Sequence, residues 1–431
     1  MKLHGNMSIK NNTLYIGGVS CVELAKKYST PLYVYDENLI RSNCKEYKKY
    51  FRVKENGNKV AYAGKAFLPL YMCNIINEEN LCLDVVSGGE LYTAYKANFP
   101  MENILFHGNN KTIDEIKMGI ELGVGRFVVD NFYELDIIED LCKNKNITQE
   151  IYFRITPGIE AHTHDYIKTG QIDSKFGFAL INGDLYEAIE KLSKYKNIKL
   201  VGLHAHIGSQ IFDIEPFMDE VDIMMDLIKE IKEKFDIDLK EIDLGGGIGV
   251  YYTKEDKPNS IKEFCEAIIN RVDKKCNKLG IKVPKLIIEP GRSIIANAGS
   301  TLYTIGSIKD IKDVRTYVSV DGGMTDNIRP SLYKAGYECS IVNKMKYEKV
   351  NNVTVAGKCC ESGDILITHA NVMEIESGDI LITTSTGAYG YSMSSNYNKI
   401  PKSAVVMVRD GDDKLVCKRQ SYEELLNLEI I

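Results

Sequence analysis

The chain has 431 residues, and 54 Lys and Arg against 60 Asp and Glu leave a formal charge of −6, with 44% apolar and 26% charged residues. That is the composition of a globular protein with a substantial core, long enough for two domains or for one α/β barrel with an addition. It has no block of five or six like charges and no run of 18 apolar residues, so neither a nucleic-acid partner nor a membrane span is expected.

In chain order, the first 35 residues carry two β-like runs, TLYIGG (13–18) and the start of TPLYVYD (30–36). Eight short β-type runs follow: KVAYAG (59–64), LCLDVVS (81–87), NILFHG (103–108), RFVVD (126–130), EIYFRITP (150–157), LVGLHAHIGS (200–209), EIDLGGGIG (241–249) and KLIIEPGR (285–292). Helical spacing of apolar residues fills the intervals, as in TIDEIKMGIEL (112–122), NFYELDIIEDL (131–141), 217–235 and 261–280. Eight alternating β-α units predict an α/β fold with a closed parallel (β/α)8 barrel over 36–295, whose active site lies at the C-terminal strand ends. After residue 300 the spacing turns to period 2 in TLYTIGSI (301–308), RTYVSVDGG (315–323), NVTVAGKCCESGD (352–364), GDILITTST (378–386), SAVVMVRDGD (403–412) and KLVCKR (414–419). These predict a second, antiparallel β domain made of 296–431 together with residues 1–35.

The N-terminal stretch MKLHGNMSIKNNTLY lacks a signal peptide's apolar core, and the eleven scattered cysteines contain no C-x-x-C pair. A cytoplasmic protein without a disulfide framework is expected, with the vicinal pair Cys359 and Cys360 standing apart.

On a barrel, polar residues at the strand ends need explaining, and this chain places there Lys65, Asp84, His107, Arg154, His204, His206, Ser209, the run Gly245, Gly246 and Gly247, Glu289 and Arg292. Lys65 is delivered by an apolar strand, and a desolvated amine of lowered pKa can attack an aldehyde. The three glycines let backbone amides approach a phosphate after strand seven, where barrels often bind one. Glu289 could pair with a protonated ring nitrogen of pyridoxal phosphate. His204 and His206 form an H-x-H pair that also suits a metal, but a metal site needs a further His and an Asp at other strand ends and leaves Lys65 and the glycines unused. No metal is expected.

YAGKAF, DVVSGGEL, HTHDYIKTGQIDSKFGF, GLHAHIGSQ, LGGGIG, EPGR, VDGGMTDNIRPSLY, CESGD and GAYGYSMSSNYN occur in this order over most of the chain. The set resembles the diaminopimelate decarboxylase family of the fold-type III pyridoxal-phosphate group, with Phe67 standing where the commonest lysine motif has Asn. The resemblance implies pyridoxal 5'-phosphate as cofactor, carried covalently by Lys65, with His206 stacked on its ring and Glu289 on its pyridine nitrogen. Ser209, Gly246, Gly247, Gly291 and Arg292 would surround the phosphate, and Asp84 and Tyr389 would complete the cofactor site. Arg292, Arg329, Tyr333, Glu361 and Tyr389 would bind substrate, the arginines taking a distal carboxylate and Glu361 a distal amine. Cys360, of CESGD, would be the proton donor, supplied by the partner chain of a homodimer with shared active sites; thiols are ordinarily protonated at neutral pH. The implied reaction decarboxylates meso-2,6-diaminopimelate to L-lysine and CO2, the last step of lysine biosynthesis. Other fold-type III decarboxylases or racemases are the alternatives, and a small amino acid is the only partner expected besides the second chain.

Overall fold

The computed structural model describes residues 1–158 and 174–430, so most of HTHDYIKTGQIDSKFGF lies outside the described residues. The chain forms two compact units. One comprises Asn43–Gly249 and Pro258–Arg292, the other Met1–Ser42, Val250–Lys257 and Ser293–Ile431. The β-rich unit thus takes the short segment after the glycine run as well as both chain ends.

The first unit is a closed parallel barrel. Its strands are β1 (Lys59–Ala63), β2 (Cys82–Val85), β3 (Ile104–Phe106), β4 (Arg126–Val129), β5 (Gln149–Thr156), β6 (Ile198–His204), β7 (Glu241–Asp243) and β8 (Lys285–Ile288). Each pairs in parallel with the next, and β8 returns to β1 through Ile287 opposite Lys59. The strands are almost continuously apolar because helices cover one face and the barrel interior the other. Ala61, Cys82, Leu105, Val128, Tyr152, Val201 and Ile287, one from nearly every strand, form an interior cluster. At the strand starts, Glu241 accepts from Arg126 Nε at 3.0 Å and from Tyr152 OH at 2.6 Å, a polar plug that closes the face opposite the chemistry.

The intervening helices begin and end where the sequence punctuates them. Thr112 and Glu115 form a reciprocal capping box, as do Ser260 and Glu263, and Gly280 closes Ile261–Leu279 at φ 68°.

The second unit is built on a long strand, Gly299–Ile311. It pairs with Leu32–Asp36, Ile380–Thr384 and Arg315–Val320. Leu32, Val34, Leu302, Ile382 and Val406 lie at the centre of its core. Two pairings depart from the antiparallel expectation, Ala404–Arg409 with Leu32–Asp36 and Arg315–Val320 with Asn351–Ala356, both parallel. Period 2 reports a half-buried strand but carries no direction. Residues 8–20 form a separate three-stranded sheet rather than joining the large one.

Two further strands, Cys339–Ile341 and Ile365–Val372, escape the sequence reading. The second was legible, because the octapeptide ESGDILIT occurs twice, at 361–368 and 376–383. Both copies make the same turn into a strand, with Asp364 N–H donating to Glu361 O and Asp379 N–H to Glu376 O, each at 3.1 Å.

Candidate active site

The barrel's C-terminal strand ends bring the expected polar residues onto one mouth. Lys65 sits in a 3-10 turn, Gly64–Ala66, directly after β1, held by Phe67 N–H to Gly64 O at 3.0 Å and by Tyr62 OH to Phe67 O at 2.8 Å. Gly64 is required there, since a Cβ would come within 2.9 Å of the Asp84 carbonyl oxygen. Phe67 is fully buried and contributes packing and a carbonyl to this turn. Lys65 is exposed in the single chain.

Behind the lysine lies a buried polar cluster. Glu289, just past β8, meets His107 Nε2 at 2.6 Å and His204 Nε2 at 3.2 Å. Burial alone would raise the Glu289 pKa, but the two histidines outweigh it and hold the carboxyl well below its ordinary value. Burial pushes His204 down to about 3 against the upward pull of Glu289. Burial, together with the Glu289 charge, drives the pKa of the neighbouring Asp243 well above its ordinary value. Asp84 is raised by burial and opposed chiefly by His107, whose Nε2 is 3.7 Å away. Arg154 approaches Asp130 at 3.8 Å and lies 4.1 Å over the Phe176 ring.

His107, His204, Asp243 and Glu289 offer ligand atoms within 4.8 Å of one another, the one group among the described residues able to chelate a cation. The histidine of the H-x-H pair that joins it is His204. His206 turns elsewhere: its Nδ1 accepts from Gly246 N–H at 3.3 Å, which fixes the ring against the glycine run. Burial, with the charges of Lys65 and Arg154, lowers its pKa well below the ordinary imidazole value.

The glycine run packs backbone against backbone. Gly245 and Gly247 have φ of 59° and 119°, and a Cβ on Gly246 or Gly247 would overlap the carbonyl oxygen of Glu289 or Gly208. Gly291 is similarly tight, its would-be Cβ 2.9 Å from that of Ala63. Arg292 donates to Ser209 Oγ through Nε at 3.3 Å and Nη2 at 3.0 Å. Asp84, His206, Ser209, Gly246, Gly247, Glu289, Gly291 and Arg292 therefore cluster with Lys65 in the barrel unit.

The remaining candidates belong to the β-rich unit. Cys360 is exposed and its N–H donates to Asn398 Oδ1 at 2.8 Å. The turn presenting it is pinned by Asp364, whose carboxylate accepts from Cys359 N–H at 2.8 Å and Met324 N–H at 2.6 Å. Burial and Asp364 push the half-buried Cys359 thiol up to about 11. Glu361 is exposed beside it. Ser331 Oγ donates to Gly363 O at 2.7 Å and ties this turn to the helix Arg329–Tyr333. Arg329 is only 7% exposed, and no carboxylate pairs with it among the described residues. Tyr389 has a φ of 62°, a left-handed conformation that costs a non-glycine residue about 1–3 kcal/mol and is typical of functional sites.

Sequence reasoning passed over Asp243 and Glu90. Glu90 accepts from Val86 N–H at 2.8 Å, and burial raises its pKa to about 7. Asp243 stands two residues before the glycine run and Glu90 inside DVVSGGEL, but nothing in the sequence separates either from the other acidic residues.

The family described as "Pyridoxal-dependent decarboxylase, pyridoxal binding domain" matches residues 37–296. The chain is 49% identical to the diaminopimelate decarboxylase of Bacillus subtilis over 100% of this chain and 98% of that one. It is 43% identical to the diaminopimelate decarboxylase of Staphylococcus aureus, covering 97% of each. Among solved structures, the M. jannaschii diaminopimelate decarboxylase in complex with L-lysine superposes with a TM-score of 0.93 at 38% identity, covering 99% of this chain and 98% of that one. The Helicobacter pylori enzyme complexed with L-lysine gives 0.86 at 33% identity, over 95% and 98%.

Proposed function

The chain belongs to the pyridoxal-dependent diaminopimelate decarboxylase family, and from that premise we propose the roles through which its residues decarboxylate meso-2,6-diaminopimelate to L-lysine and CO2. The barrel residues fit the cofactor, pyridoxal 5'-phosphate: they offer an amine, a histidine ring fixed by a backbone bond, a carboxylate kept charged by two histidines, and a side-chain-free glycine loop. Asp84 Oδ1, His204 Nδ1 and Asp243 Oδ2 are buried without a hydrogen-bond partner among the described residues, as at a pocket wall that a polar group completes. When bound, pyridoxal phosphate supplies the electron sink for the bond that breaks.

In this reading Lys65 holds the cofactor covalently and Glu289 faces its ring nitrogen. His206 packs on the ring, and Asp84 and Tyr389 complete its surroundings. Ser209, Gly246, Gly247, Gly291 and Arg292 take the phosphate. Cys360 delivers the proton that replaces CO2 at the D centre, and Glu361 takes the distal amine. The active form is a homodimer in which each barrel is served by Cys360 of the partner subunit. All eleven cysteines are unpaired, the usage of a reducing compartment, and the reading places the enzyme in the cytoplasm. No helix among the described residues is long and apolar enough to cross a membrane.

The observation that carries the substrate reading is Arg329. A buried guanidinium without a carboxylate partner is costly, and an anionic ligand relieves that cost. A diacid brings such a group at its far end, and ornithine does not. Arg329 and Tyr333, together with Arg292, which also serves the phosphate, grip the distal carboxylate, and Tyr389 lies against the substrate as well. Arg329→Met is therefore expected to raise KM for meso-diaminopimelate roughly 100-fold, the worth of one charge-assisted bidentate contact. Cofactor affinity, read from the absorbance of the holoenzyme, should stay within about twofold. An unchanged KM would remove Arg329 from substrate recognition.

A further inference from the structure

We infer that Tyr337 is a positioning residue for substrate selection, acting through Arg329; the inference rests on the reading that Arg329 takes the distal carboxylate. Tyr337 OH accepts a hydrogen bond from Arg329 Nη1 at 2.7 Å, in a buried setting, the one hydrogen bond the guanidinium makes among the described residues. The guanidinium carbon lies 4.9 Å from the centre of the Tyr252 ring and 5.9 Å from those of Tyr333 and Tyr337. Three aromatic rings thus enclose a cation, and a single hydroxyl sets its rotation.

The enclosure is itself fixed. Tyr252 and Tyr337 meet edge to face, 5.3 Å apart at 85°. Tyr252 N–H and Thr253 N–H both donate to Asp256 Oδ2, at 2.9 and 2.8 Å, which closes the short loop carrying Tyr252. Tyr251 OH donates to Glu338 Oε1 at 3.1 Å, and Asn297 Nδ2 donates to the Tyr251 carbonyl at 2.6 Å. A side chain on Gly336 would press on Thr253 at 3.0 Å, so the two segments pack closely.

The chemical consequence follows from the shape of arginine. Its five N–H donors lie in a planar fork, and a planar carboxylate is gripped by two of them only when the plane is correctly turned. A long side chain free to rotate loses that freedom when ligand binds, which weakens binding. Tyr337 removes the freedom beforehand, and the aromatic faces stabilise the cation without competing for its donors. Tyr337 touches no reacting atom, so its effect belongs in binding and not in the chemical step. L-lysine, the product, retains the same distal carboxylate and must feel the same change.

The test measures KM and kcat for meso-diaminopimelate, and L-lysine affinity by calorimetry, on the holoenzymes of Tyr337→Phe, Arg329→Met and the double variant. Tyr337→Phe is expected to raise KM and weaken L-lysine binding about tenfold, as loss of one hydrogen bond to a charged group does, with kcat within about twofold. In the Arg329→Met background the same change should add less than about twofold, because the residue it positions is gone. Tyr252→Leu, which leaves the Tyr337 hydroxyl in place, should shift both constants about threefold. If Arg329→Met raises both constants while Tyr337→Phe leaves them unchanged, Tyr337 does no positioning and the reading of Arg329 stands. If Arg329→Met itself changes neither, the reading underneath fails. A fall in kcat equal to the change in kcat/KM would also overturn the inference, since it would place Tyr337 in the chemical step.

Discussion

Lys65→Ala is expected to cut turnover by a factor on the order of 10^4 or more, because the amine that holds the cofactor is lost. The fold should survive. The turn carrying Lys65 is kept by a backbone hydrogen bond and by Tyr62, neither of which involves the Lys65 side chain, and that side chain is exposed. Surface replacements of this kind change stability by about 0.5 kcal/mol or less. Turnover with excess cofactor and a thermal melt, run on the same preparation, separate the two claims. Activity above about 1% of the unaltered enzyme in a cleanly folded variant would take the covalent role away from Lys65.

Mixing Lys65→Ala chains with Cys360→Ala chains, each nearly inactive alone, is expected to restore about a quarter of full activity. The two lesions fall in different units of the chain, Lys65 in the barrel and Cys360 on the pinned turn of the β-rich unit. If Cys360 serves the barrel of the second copy, a mixed dimer has one site with both lesions and one with neither. Random assortment puts about half of the dimers in the mixed class, and each has one of two sites intact, by the symmetry of a twofold assembly. Co-expression followed by an assay of lysine formation reads this directly. Heterodimers that form and stay inactive would mean that the two residues act within one chain.

Much of this was legible in the sequence for identifiable physical reasons. The barrel strands are short apolar runs separated by helices whose starts and stops are marked by Thr112, Ser260 and Gly280, so local preference and global fold agree. Residues at the strand ends stood out because nothing apolar explains a lysine, two histidines and a glutamate there. The supporting layer was hidden. Asp243 and Glu90 are single carboxylates among 60 acidic residues, and only the burial that shifts their pKa values distinguishes them. Of the tyrosines around Arg329, Tyr333 stood out in NIRPSLY, but Tyr252 and Tyr337 were hidden in a chain with 26 tyrosines, since they are 85 residues apart and meet only in three dimensions. Strand direction in the β-rich unit was illegible because Leu32–Asp36 arrives from the far end of the chain and lies parallel to Ala404–Arg409. Alternation along either strand is identical in both directions.

The reaction itself is read by a product assay on the purified holoenzyme with meso-diaminopimelate, counting CO2 and L-lysine together. One CO2 is expected for each L-lysine formed, with ornithine and L-lysine left undecarboxylated under the same conditions. Interconversion of diaminopimelate stereoisomers without release of CO2, or CO2 release from ornithine at a comparable rate, would contradict it.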